Sequence, residues 1–94
     1  DDPDKQRILI AYSKLGGEEA VATLSAMIRR ANLLKNPILS SMRRAAFEGL
    51  AHNQSDRAER LLVQLANSWR PDIRRQAQAA LKHRREVIYG GGHE

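Results

Sequence analysis

Two stretches of this chain copy each other. Met42-Arg43-Arg44-Ala45-Ala46-Phe47-Glu48-Gly49-Leu50 aligns with Ile73-Arg74-Arg75-Gln76-Ala77-Gln78-Ala79-Ala80-Leu81 at an offset of 31 residues. The shared pattern is an apolar residue, an Arg pair, Ala46 with Ala77, small Gly49 with Ala80, and Leu50 with Leu81. A fixed period of this size constrains the fold strongly. One supersecondary unit cannot bury its apolar face alone, so it stacks on a copy of itself.

The punctuation around the copies cuts the chain into about five helices, and no segment has the period-two alternation of a half-buried strand. Asp2-Pro3-Asp4 is a helix start, and Ile8, Ala11, Tyr12 and Leu15 form the apolar stripe of a first helix over about 4–15, stopped by Gly16-Gly17. Glu18 and Glu19 suit the first turn of a second helix, which ends before Asn36-Pro37. Asn36 as cap and Pro37 as first-turn residue open the third, with Ile38, Met42, Ala45, Ala46, Gly49 and Leu50 on one side. After a polar turn at 52–55, Asp56 and Glu59 read as a capping-box pair for the fourth, whose stripe runs through Leu62 and Leu65 to Trp69. Arg70-Pro71-Asp72 turns the chain into a fifth helix over about 72–88, and Gly90-Gly91-Gly92 ends the order. Helices two and four correspond, as do three and five, and helix one is a degenerate copy of the latter pair.

Composition supports helices. With four aromatic residues in 94 (Tyr12, Phe47, Trp69, Tyr89), the core must be aliphatic and alanine-rich. The chain has no cysteine, which excludes disulfides and thiolate metal sites. No apolar run approaches the roughly 18 residues of a membrane span, and no basic-then-apolar leader is present, so a cytoplasmic location is expected. The net charge of +5 is unevenly spread: residues 1–19 carry −2, whereas 60–85 hold seven bases against Asp72. That gradient suits an acidic partner.

The segment Arg70-Pro71-Asp72-Ile73-Arg74-Arg75-Gln76-Ala77, with a looser copy from Asn36-Pro37 through Ala46, resembles the HEAT-like repeats, in particular the short bacterial type related to phycobilisome-lyase repeats. The hallmark of that family is a helix, a tight Pro-Asp turn, then Val or Ile followed by Arg and an alanine-rich second helix. The resemblance covers about residues 18–85. It implies an all-α fold of about five helices in a short right-handed α-α superhelix, one domain over 1–89 with units at about 4–15 (partial), 18–52 and 56–88, and a flexible tail over 90–94. It also implies that Arg43 and Arg74 bond the turn of an adjacent unit. The chain departs from the pattern at Ile38-Leu39-Ser40-Ser41, where an acid is expected, and in its incomplete first unit. Two and a half units is near the lower limit for such an array, so the expectation is a capped minimal stack or a piece of a longer solenoid. The Ile8-Leu9-Ile10 run exceeds what one helical face needs and is expected to cover the open end or meet a preceding segment.

Chemistry-bearing constellations are few. His52, His83 and His93 fall in a loop, on a basic helix and in the tail without metal-ligand spacing, and read as solvent-exposed. Gly90-Gly91-Gly92 opens no helix and so is no phosphate loop. Asp56 and Glu59 are explained by capping, and Ser40-Ser41 has no His or Lys set nearby in sequence. No catalytic, cofactor-binding or metal-binding residues are expected, and the chain reads as no enzyme.

The arginines carry the functional expectation. Four pairs occur, at 29–30, 43–44, 74–75 and 84–85. Second helices of such solenoids commonly line the concave face, so Arg44, Arg75, Gln78, Lys82 and Arg85 are expected to form a basic stripe there, residues 75, 78, 82 and 85 sharing one helical face. Trp69 reads as a core anchor, and Phe47 as a partly exposed apolar contact for a partner. The leading function is a non-catalytic scaffold docking a protein partner or neighbouring domain with an acidic surface. The alternative is nucleic-acid binding through phosphate contacts on the same face, against which stand the few aromatics and the absence of a base-reading motif. A third, an accessory lyase of the phycobilisome kind, is implied by the resemblance alone.

Overall fold

Residues 3–33 and 37–90 are described by a computed structural model, and every regular element among them is helical. In chain order these are α1 (Pro3–Leu33), α2 (Pro37–Ala51), α3 (Asp56–Ala66), α4 (Pro71–Arg85) and a terminal π-helical turn (Glu86–Gly90). α1 is two helices joined end to end, because Gly17 interrupts it at φ 55°, ψ −130°, a conformation that only glycine adopts at low cost. The break falls where Gly16-Gly17 predicts one, with the second arm restarting at once. The Asn36 cap and residues 91–94 of the expected tail lie outside the described residues.

The start and end of α3 differ from the sequence expectation. Its cap is Ser55, whose hydroxyl accepts from the Ala58 amide, so Asp56 already sits in the first turn and no capping box forms. Glu59 is instead an ion-pair partner of Arg84. At the other end the helix stops at Ala66. The Asn67 amide donates to the carbonyls of Gln64 and Leu65, the Ser68 amide to Leu65, and Pro71 holds Arg70 in extended backbone. Trp69 therefore leaves the helical stripe and stands 86% exposed, where burial was expected.

α1 packs chiefly on α2 and α3 on α4, and the two pairs join mainly through α2 and α4. Leu24, Ile28, Leu50, Leu62 and Ile73 are among the residues buried in the core cluster. Because α2 is covered on one side by α1 and on another by α4, its buried arc is wide enough to take in Phe47, which is 4% exposed. The expected partner contact at Phe47 is thus a core residue. The first arm of α1 is turned opposite to expectation: Ile8, Ala11, Tyr12 and Leu15 are exposed, while Ser13 is fully buried and Leu9 packs on the core. The radius of gyration is 12.5 Å, close to the roughly 12 Å of a compact domain of this length.

A buried polar joint ties the helix ends together. Asn53 Nδ2 donates to the carbonyls of Ser13 (3.0 Å) and Gly17 (2.8 Å), on either side of the break in α1. Its Oδ1 accepts from the Ser55 amide and hydroxyl, and the Ser13 hydroxyl donates to the Gly49 carbonyl. Arg84, 1% exposed, donates from α4 to the carbonyls of Asn53 (3.0 Å) and Ser55 (2.9 Å) and to Glu59 Oε1. The joint satisfies each group it buries by charge-assisted or neutral hydrogen bonds.

Candidate functional site

A charged pair joins the two copies. Arg43 Nη1 lies 3.5 Å from Asp72 Oδ2, so the first arginine of α2 reaches the first turn of α4. Arg74 Nη1 donates instead to the Ser68 carbonyl within its own turn. Partial burial acts to raise the Asp72 pKa, but the bond from the Ile73 amide and the cations of Arg70 and Arg43 outweigh it and hold the carboxyl below its ordinary value. These arginines and this aspartate are fasteners of the fold.

Of the expected basic stripe, Arg44, Arg75, Gln78, Lys82 and Arg85 are all exposed. Gln78, Lys82 and Arg85 line one groove of about 680 Å³ that runs along α4 onto the π-helical turn, with Leu81 in its floor and Glu86 and Tyr89 at its end. Tyr89 is 68% exposed, an aromatic face beside two cations. Arg75 and Arg44 do not line this groove. Arg85 Nη2 is 4.0 Å from Glu59 Oε2, a loose contact at a mostly exposed side chain. Its neighbour Arg84, equally basic in sequence, belongs to the buried joint.

A second basic groove, unforeseen in the sequence, lies between the second arm of α1 and α3. Arg29, Arg57 and Arg60 line it with Ser25 and Gln64, around a volume of about 400 Å³. Its signal was present as Arg29 on one first helix and Arg57 and Arg60 on the next, but their convergence depends on the packing of α1 against α3.

The histidines are not all solvent-exposed loop and surface groups. His52 and His83 are half-buried and stand edge to face, ring centroids 5.3 Å apart at 82°. Both approach one carboxylate: His52 Nε2 lies 3.8 Å and His83 Nδ1 3.3 Å from Glu48 Oε2. The sequence contains two clues to this. Glu48 and His52 stand at i, i+4 on one helical face, and His52 and His83 are separated by the repeat offset of 31 residues. Burial holds the His52 pKa below its ordinary value, with His83 and Lys14 acting in the same direction and Glu48 opposing.

Comparison with protein-family models, curated proteins and solved structures finds no match. The site must therefore be read from its own chemistry.

Three surfaces then stand as candidates: the α4 groove with its aromatic end, the arginine groove over α1 and α3, and the histidine–carboxylate cluster between α2 and α4. Among the described residues no helix is long and apolar enough to cross a membrane.

Proposed function

We propose that the chain is a non-catalytic helical-repeat scaffold of the HEAT-like kind, which holds an acidic segment of a protein partner on its second-helix face. The observation that carries the reading is the α4 groove, where exposed Lys82 and Arg85 flank an apolar floor and end at exposed Tyr89. Tyrosine and arginine beside a desolvated floor are the residue types that dominate binding energy at protein interfaces. The superhelical arrangement is supported by the 31-residue repeat, by the packing of α2 on α4, and by the Arg43–Asp72 pair between successive turns.

The test is binding of a fluorescent acidic peptide and of a generic DNA duplex to the wild-type chain, to Lys82→Glu/Arg85→Glu and to Arg57→Glu/Arg60→Glu. Peptide binding weakened about tenfold by the α4 pair alone is expected, since two exposed charge contacts of up to about 1 kcal/mol each are lost and replaced by repulsion. Unchanged peptide affinity in the α4 pair sinks the reading. Steeply salt-dependent duplex binding with no peptide binding selects phosphate recognition instead.

A further inference from the structure

We propose that Glu48, His52 and His83 form a binding site for one divalent transition-metal ion, Zn²⁺ by preference, that clamps the end of α2 to α4. The donor set is two imidazole nitrogens and a carboxylate oxygen, a combination suited to zinc, cobalt or nickel and poorly suited to calcium or magnesium, which take all-oxygen shells. One ligand atom from each residue lies within 4.8 Å of the other two. A tetrahedral zinc at about 2.1 Å from its ligands needs them about 3.4 Å apart. The His83–Glu48 contact, at 3.3 Å, already has that spacing. The His52–Glu48 contact, at 3.8 Å, needs a shift of a few tenths of an ångström.

The backbone presents these groups without a loop to reorganise. Glu48 lies in α2, and His52 continues its last turn, the His52 amide donating to the carbonyls of Glu48 (3.3 Å) and Gly49 (3.2 Å). His83 comes from α4, so the ion would bridge the two copies of the repeat at positions the repeat makes equivalent. Side-chain exposures of 18% at His52, 28% at Glu48 and 40% at His83 leave the cluster sheltered on one side and open on the other, where water completes the coordination. Neutral imidazole is the ligating form, and burial favours it at His52. Lys14, the other charged group acting on His52, is exposed and disperses its charge into water.

The experiment starts from chelator-treated full chain, titrated with Zn²⁺ by calorimetry and with Co²⁺ by visible absorption. The expected result is one ion per chain, a raised melting temperature on Zn²⁺ addition, and a Co²⁺ spectrum with the intensity of a four- or five-coordinate site. His52→Ala and His83→Ala each lower affinity more than about tenfold, whereas His93→Ala leaves it unchanged. His83→Gln, which keeps the size of the side chain, reproduces the loss with the metal-free melting temperature preserved, separating ligation from folding. Absence of binding at 1 mM Zn²⁺ or less, on the order of the weakest useful site, overturns the proposal, as does affinity that survives His83→Gln or disappears with His93→Ala.

Discussion

Arg84 shows how far a residue's neighbours decide its role. In sequence it is one of four bases within 82–85 if His83 is included, indistinguishable from Arg85. In the fold it is 1% exposed and spends its donors on Asn53, Ser55 and Glu59, partners 25–31 residues away. Arg84→Met keeps the apolar stem but strands the buried Asn53 carbonyl and the part-buried Ser55 carbonyl and leaves Glu59 only its loose contact with Arg85. It is expected to lower stability by about 3 kcal/mol in urea unfolding, and a loss below about 0.5 kcal/mol would show that the joint contributes little. His52 supplies a pH dependence. Its folded pKa lies below its ordinary value of 6.5, chiefly through burial, so the unfolded chain takes up the proton first as pH falls. Stability in chelator is therefore full above about pH 7 and declines as pH drops through the ordinary histidine range. The groups facing His52 are Glu48, which opposes this trend, and His83 and Lys14, which reinforce it. Melting temperatures from pH 7.5 to 5.5 should fall less steeply in His52→Gln than in the wild type, and equal slopes would refute the assignment.

At the scale of the element, the legible features were those fixed by local backbone chemistry. Gly17 marks the break in α1 because no residue with a side chain takes φ 55° with ψ −130° cheaply, and Pro71 opens α4 because its ring suits a first turn. The α3 boundaries were less legible: Ser55 and Asp56 are both good caps, and only the path from Asn53, whose Oδ1 holds Ser55, selects between them. Face assignment failed where a helix has more than one neighbour or one that sequence cannot show. Phe47 is buried because α2 is sandwiched, and the Ile8–Leu15 stripe is exposed because Ser13 anchors the opposite face of that arm to Gly49. Of the candidate site, the exposure of the α4 stripe was readable from its 3-4-3 spacing. The histidine cluster was not, since the equivalence of His52 and His83 becomes a contact only when α2 and α4 lie side by side.

At the scale of the whole molecule, the repeat and the buried joint impose opposite tendencies. A stack of similar units ordinarily has only nearest-neighbour couplings, so its ends can fray while the middle holds. Here Asn53 connects Ser13 and Gly17 in α1 to Ser55 before α3, and its carbonyl accepts Arg84 from the last turn of α4. Releasing either end leaves buried polar groups without partners at the other. Native-state hydrogen exchange should therefore report one shared opening free energy for amides around Ser13 and around Arg84, and a first arm that exchanges independently would contradict it. Placed in the turn between α2 and α3, one asparagine ties the first helix to the last, so the two ends of the fold are expected to open together rather than fray one by one.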